Sequence, residues 1–311
     1  MNVIKETNFT NLGERKVGKV RDIYFQRDKL ILVTTDRLTG FDRFLACIPD
    51  KGAVLNLSSA FWFKETEDII QNHVIDVPDP NVTVAKRYEP LKIEGVVRGY
   101  LTGSTDTSIW TRYSKGDRKF GDVELPSGMA KNSKLPHAIF DPTTKEDMHD
   151  RALSVEELVK EGFVTKDLFE KVKETALALF ARGQEVAARH GLILVDTKYE
   201  FGVDEHGGLA LIDEIHTPDS SRYWQLDTYD ARMEKGEAPE HFDKEFIRLW
   251  FREHSDPYKD EKLPEAPPEL VEELSRRYKA IYEQLTGATF AVDERTPALE
   301  RIEKNLAKYA L

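Results

Sequence analysis

The sequence predicts an α+β fold in two lobes, a β-rich one over residues 1–90 and a larger mixed α/β one over 91–311, and three observations carry that prediction. Short β-branched and aromatic runs crowd roughly the first 95 residues, which is strand patterning. Amphipathic helical patterns crowd the final third. Between them, 194–202 and 211–215 form two apolar runs carrying charges, which read as a hairpin. Two lobes imply a cleft between them.

The elements follow in order. Runs 17–25 and 30–35 are predicted strands, with the polar segment 26–29 as their turn. A helix is predicted over 53–72 and strands over 82–85 and 93–97. Proline and charge in 86–91 suggest an extended connector. Gly, Pro and Ser are frequent in 116–142, which reads as a functional loop with short strands at most. Ser154, Val155, Glu156 and Glu157 have capping-box spacing for a short helix that stops near Gly162. The clearest helix is 165–190, with Leu168, Val172, Ala176, Leu179 and Val186 on one stripe and Gly191 as terminator. Later helices are expected over 244–253, 268–285 and 297–310, the last opened by Thr296-Pro297.

With 311 residues the chain can bury a substantial core. Its 56 acidic residues exceed its 45 basic ones, a formal charge of -11, which argues against a general nucleic-acid-binding surface. An anionic ligand then needs a local cluster of Lys and Arg. The single cysteine, Cys47, can form neither an internal disulfide nor a cysteine metal cluster, which suits a reducing compartment. No secretory signal and no run of roughly 18 apolar residues is present, so the expectation is a cytoplasmic protein without membrane contact.

Alternation on the first hairpin strand puts Asp196, Lys198 and Glu200 on one face and Val195, Thr197, Tyr199 and Phe201 on the other. Such a row suits Mg²⁺ and a phosphorylated ligand, or else is the solvated face of an ordinary hairpin. Pairing Gly202 with Leu209 would bring Asp213 opposite Lys198, whereas a slip of one residue would turn it away. Gly13 to Lys19 has most of a P-loop, but Val20 stands where Ser or Thr is needed and no helix follows, so that reading fails. On a strand, Lys19 and Arg21 share a face and could clamp a triphosphate, with Gly18 allowing close approach; the alternative is a solvated edge.

Arg98 leaves an apolar strand before a turn framed by Gly99 and Gly103 and carrying Ser104, a set suited to a phosphate monoester or to a structural ion pair. Arg222, beside Ser220 and Ser221, could hold a second edge of that phosphate. Residues 34–42 form a polar loop with Asp36 and Asp42. Asp147, Met148, His149 and Asp150 add an acidic cluster, in which His149 reads as structural rather than as a zinc ligand, since no second histidine stands at ligand spacing.

Taken in order, GKVRDIY from Gly18, VVRGYLTGS from Val96, DTKYEFG from Asp196 and DEIHTPDSSRYW from Asp213 resemble the SAICAR synthetase (phosphoribosylaminoimidazole-succinocarboxamide synthase) family over about 18–287. The resemblance implies a two-lobed fold with ATP bound in the cleft. It implies an ATP- and Mg²⁺-dependent ligase of de novo purine biosynthesis that joins carboxyaminoimidazole ribonucleotide to L-aspartate through an acyl phosphate. It further implies that Gly18, Lys19 and Arg21 meet ATP phosphates and that Lys86, Glu89 and Leu91 border adenine. Glu200 and Asp213 would hold Mg²⁺, and Asp196 and Lys198 would be catalytic. Arg98, Ser104 and Arg222 would bind the ribose phosphate, with Asp36 and Asp219 assigned to substrate and the Asp36 to Asp42 loop the candidate for L-aspartate. Two segments depart from the family pattern: Thr39-Gly40 replaces Ser-Ala, and Arg151-Ala152 follow Asp150. A small-molecule kinase would share the ATP and metal groups but would not need the separate phosphate anchor of Arg98, Ser104 and Arg222, and a non-catalytic nucleotide-binding module would not need so many metal and phosphate groups together.

Overall fold

Gly18 splits the first predicted strand in two. Its N–H donates to the Arg21 carbonyl at 2.7 Å, closing a tight turn between β1 (Glu14–Val17) and β2 (Arg21–Phe25). Lys19 therefore lies in a turn, not on a strand face shared with Arg21. The computed structural model describes residues 3–41, 43–105, 108–145, 155–242, 244–293 and 295–311. The expectations for Asp42, for the 147–150 cluster and for Ser154 as a cap lie outside the described residues.

The chain continues through β3 (Lys29–Thr34), a ribbon of β4 (Arg37–Gly40) and β5 (Arg43–Cys47), helix α1 (Lys51–Glu65), β6 (Val74–Asp79) and β7 (Val82–Lys86). Helix α1 ends seven residues before the expected 72; just after it, the Thr66 hydroxyl donates back to the Trp62 carbonyl at 2.8 Å. Among the described residues the first sheet has the order β1-β2-β3-β7-β6, every neighbour antiparallel.

Only Arg87 and Tyr88 separate β7 from β8 (Glu89–Tyr100), so the expected six-residue connector is mostly strand. After α2 (Ile109–Ser114), β9 (Lys119–Phe120) and β10 (Val123–Glu124) comes β11 (Lys134–Thr144), which corrects the loop expected over 116–142. Four successive buried residues, Ile139 to Pro142, give β11 no apolar–polar alternation, and its two prolines read as loop. Next come α3 (Val155–Lys160), α4 (Lys166–Arg189), β12 (Leu192–Val203), β13 (Leu209–Ile212), β14 (Ser221–Gln225), α5 (Leu226–Glu234), α6 (Glu245–His254), α7 (Pro268–Thr286) and α8 (Ala298–Leu306). The last expected helix ends as α-helix at Leu306, followed by a 3₁₀ turn. The second sheet runs β11-β8-β12-β13, and β14 also pairs with β12.

Helix α4 lays Val172, Ala176, Leu179 and Phe180 on this sheet against Val97, Phe140, Leu194, Tyr199 and Phe201, joined by Trp62 and Phe63 of α1. Each such side chain contributes roughly 1.5–3 kcal/mol on burial. The first sheet is covered instead by α8, whose Ala298, Ile302 and Leu306 pack on Tyr24, Ile31, Val33, Val82 and Val84. Val54 and Leu55 of α1 join α6 and α7 in a third cluster. Helix α1 thus packs with both sheets' neighbours and ties the halves together.

The face assignment on β12 needs one correction. Pairing with β14 shifts between Leu194 and Asp196, so Val195 is an extra, bulged residue. Val195 packs with Tyr100, Ile193 and Trp224, away from the core that holds Tyr199 and Phe201.

Candidate active site

Strand β12 runs through the middle of the second sheet, so its polar face is walled on both sides. Glu200 stands directly opposite Glu94 of β8, a like-charge pairing that needs a cation between. Lys198 supplies it, its Nζ 2.9 Å from Glu94 and 2.5 Å from Glu200. Lys145, at the end of β11, ion-pairs with the other Glu200 oxygen. Burial pushes the Glu200 carboxyl up, but Lys198 and Lys145 outweigh it and hold the pKa at about 2. Burial likewise pulls Lys198 down, yet Glu200, Asp213 and Glu94 raise it well above its ordinary value. Both groups stay charged throughout the physiological range.

The hairpin register is the slipped one: Gly202 pairs with Ala210 and Glu200 with Ile212. Alternation would then turn Asp213 away. It does not, because the strand ends at Ile212 and Asp213 has φ 68°, which breaks the alternation. Its carboxylate meets the Arg21 guanidinium, which also reaches Glu214 at 2.9 Å. Burial raises the Asp213 pKa, Arg21 opposes that, and repulsion from Glu200 and Glu214 raises it further. Arg21 thereby brings the turn at Gly18 and Lys19 to the two acids that follow β13. Arg37 braces that turn, donating to the Gly18 carbonyl at 2.9 Å and the Lys19 carbonyl at 3.2 Å. A Cβ on Gly18 would lie 2.9 Å from the Arg21 carbonyl oxygen, too close for any other residue without movement.

On the opposite side, Asp196 lies between Arg98 of β8 and Arg222 of β14 in cross-strand register. Arg222 ion-pairs with Asp196, whereas the Arg98 guanidinium turns to Asp141 at 2.9 Å. Arg222 lines two adjoining cavities. One, of about 310 Å³, includes Ser104, Thr102, Lys131, Asn132 and His241. The other, of about 150 Å³, includes Asp196, Asp219, Ser220, Lys244 and Arg248. Asp219 is buried and held by Lys51 at 2.7 Å, Tyr278 at 2.6 Å and Lys244 at 3.3 Å. Burial opposes its ionisation, but Lys244 and Lys51 keep its pKa well below the usual carboxylate range.

Four expected residues, Asp36 and the set Lys86, Glu89 and Leu91, lie apart from this cluster. Asp36 is buried in the first lobe, with its oxygens accepting from Ile4 N–H at 2.7 Å and Gly52 N–H at 2.9 Å. Burial pushes its pKa up to about 6 against those two donors. Lys86 and Glu89 are exposed at the β7–β8 junction and Leu91 half-buried; between them Tyr88 packs on Ala210 and Ile212, next to Asp213. His216 is fully buried against Trp62, its pKa lowered to about 3 by burial, and so is neutral.

Sequence reasoning missed Glu94, Lys145, Lys51, Lys244 and Arg248. Glu94 carried a signal, as a charge inside the apolar run 93–97. Lys51 carried none, since nothing local marks a lysine at a helix start as fully buried. Among the described residues no group of three or more His, Cys, Asp and Glu is arranged to hold a metal. Glu200 and Asp213 offer only carboxylate oxygens and repel one another, a donor set that fits a hard cation sharing its coordination with phosphate and water.

The SAICAR synthetase family profile matches residues 14–265. Phosphoribosylaminoimidazole-succinocarboxamide synthase of Legionella pneumophila (strain Paris) is 53% identical over 298 residues, covering 96% of this chain and 96% of that protein. The chloroplastic synthase of Arabidopsis thaliana is 52% identical over 312 residues, covering 99% of this chain and 76% of that protein. SAICAR-synthase from Saccharomyces cerevisiae, in a structure complexed with SAICAR, superposes with TM-score 0.79 at 30% identity, covering 93% of this chain and 100% of that one. A SAICAR synthetase (Type-2) in complex with ADP superposes with TM-score 0.68 at 27% identity, covering 90% and 100%. By profile, sequence and fold together, this chain belongs to the SAICAR synthetase family.

Proposed function

We propose that the chain joins carboxyaminoimidazole ribonucleotide to L-aspartate at the expense of ATP, in the cytoplasm, by way of an acyl phosphate. The observation that carries this reading is the charged row Glu94, Lys198, Glu200, Asp213 and Arg21, lying between the Gly18 turn on one side and the Ser104–Arg222 cavity on the other. The Gly18–Lys19 turn and Arg21 take the ATP phosphates, and the apolar patch of Tyr88, Ala210 and Ile212 beside Lys86, Glu89 and Leu91 takes adenine. Ser104 and Arg222 take the ribose phosphate. Arg98 lies one strand away and steadies that wall through Asp141.

A carboxylate is a poor electrophile and must be activated. One of its oxygens attacks the γ-phosphorus, the bond to the bridging oxygen breaks, and ADP leaves. The aspartate amine then attacks the acyl carbon, the carbon–oxygen bond to phosphate breaks, and the departing phosphate takes the amine proton. Such a reaction asks mainly for positioning and charge neutralisation. Glu200 and Asp213 would hold Mg²⁺, which supplies neutralisation of the phosphate oxygens. Lys198, charged at working pH, stabilises the carboxylate oxygen that accepts the phosphoryl group, and Asp196 holds Arg222 in register. Arg21 and Lys145, which pair with Asp213 and Glu200, would leave those carboxylates free to hold the cation by turning to phosphate.

No helix among the described residues is long and apolar enough to cross a membrane. The test of the reaction is product formation. Purified protein with ATP, Mg²⁺, carboxyaminoimidazole ribonucleotide and L-aspartate is expected to release ADP and succinocarboxamide in equal amounts. ADP release independent of aspartate, with no amide, would reject ligation in favour of a kinase.

A further inference from the structure

Arg37 turns its guanidinium to backbone. It is buried at the first position of β4, where Nη2 donates to the Gly18 carbonyl at 2.9 Å and Nε to the Lys19 carbonyl at 3.2 Å. Nη2 also donates to the Asp22 carboxylate at 2.9 Å, and Nη1 donates to the Lys5 carbonyl at 2.5 Å. The next carbonyl of the β1–β2 turn, on Val20, accepts from the Thr35 N–H at 2.9 Å and the Thr35 hydroxyl at 2.8 Å. Three successive carbonyls are thus taken up by residues 35–37.

A trans peptide unit points its C=O and its following N–H in opposite directions, and among the described residues no peptide is cis. With the Gly18 and Lys19 carbonyls turned to Arg37, the N–H groups of Lys19 and Val20 point away from it. Two successive N–H groups on one side of a turn form a concavity that attracts anions, and a carbonyl rotated into that space would repel them. A lysine could not replace Arg37 here, since one ammonium on a flexible stem lacks the planar fork that meets two adjacent carbonyls and a carboxylate together.

The fork is itself aimed. Asp22 is fully buried, and its second oxygen accepts from the Thr7 N–H at 2.6 Å and the Thr7 hydroxyl at 3.0 Å. The Thr7 hydroxyl in turn meets the Tyr24 hydroxyl at 2.7 Å. A buried ion pair whose remaining lone pairs are hydrogen-bonded resists rearrangement, because moving one partner leaves a charge uncompensated. Lys5 and Thr7, ahead of β1, therefore back the turn through both members of the pair. We propose, resting on the reading of this turn as the ATP-phosphate site, that Arg37 is a positioning residue for the nucleotide phosphates: it turns the Gly18 and Lys19 carbonyls away from the ligand, and Asp22 and Thr7 hold it in that pose.

The test is equilibrium binding of Mg²⁺–ATP and of adenosine, which has no phosphate, to Arg37→Lys and Thr7→Val. Arg37→Lys keeps a charge beside Asp22 but loses the fork on the two carbonyls. It is expected to raise Kd for ATP about tenfold, with Kd for adenosine within about twofold of wild type. Thr7→Val keeps the backbone N–H but removes the hydroxyl bond to Asp22, for a rise of about threefold confined to ATP. It carries the test should Arg37→Lys fail to fold. In turnover, KM for ATP is expected to rise in both variants, with KM for the ribonucleotide and for L-aspartate unchanged. Equal weakening of ATP and adenosine, or an unchanged Kd for ATP in folded variants, would overturn the assignment. Binding needs no turnover, so a wild type that binds ATP and forms no amide would overturn the ligase reading alone.

Discussion

Glu200 keeps its charge where burial alone would remove it, and that has a measurable pH signature. Its folded pKa of about 2 lies below the ordinary 4.5, so as pH falls the unfolded chain takes up the proton first. The stabilisation is complete above about pH 4.5 and is lost on the way down to about 2. Glu200→Gln is expected to lower stability at neutral pH by on the order of 2 kcal/mol, and the gap to wild type should narrow by about pH 3. Urea unfolding at the two pH values reads this; a gap independent of pH would mean that Lys145 and Lys198 do not hold the charge. Single residues were unevenly legible in the sequence. Asp196, Lys198 and Glu200 announced themselves by alternating on an apolar strand. Asp213 did not, because its orientation depends on a left-handed backbone that compensates a register slip, and neither is written in residue type alone.

Turns and strand ends carry the next level of organisation. The β1–β2 turn is tight because Gly18 lacks a Cβ, and it presents two backbone carbonyls that Arg37 grips. Gly18→Ala is expected to open the turn and raise KM for ATP about tenfold, leaving KM for the ribonucleotide unchanged. Equal effects on both constants would show that the turn serves the fold and not the nucleotide. Most helices were legible, since α4, α6, α7 and α8 carry apolar stripes and α4 begins one residue after the expected 165, with Thr165 as its cap. Strand β11 was not. Its buried run shows no period, and its prolines, at 136 and 142, read as loop signals although β11 lies at the edge of its sheet, where proline is tolerated.

The whole molecule is held by helices that ignore the order of the chain. Helix α1 contributes Trp62 and Phe63 to one core and Val54 and Leu55 to another, and α8 closes the first sheet. Replacing fully buried Ile302 with Ala is expected to cost about 2–5 kcal/mol, with lost amide protection concentrated in β2, β3 and β7. Protection lost evenly across both sheets would mean that the lobes unfold as one unit. The two-lobed class was legible from the clustering of strand and helix patterns. The ties between the lobes were not, because a stripe tells that a helix face is buried and not which sheet receives it. That return of α8 governs how the protein is made. A ribosome releases β1 to β7 early, but Tyr24, Ile31, Val33, Val82 and Val84 stay uncovered until residues 298–306 have emerged. The first lobe is therefore among the first parts synthesised and the last completed, and its uncovered apolar face is expected to be prone to aggregation through that interval.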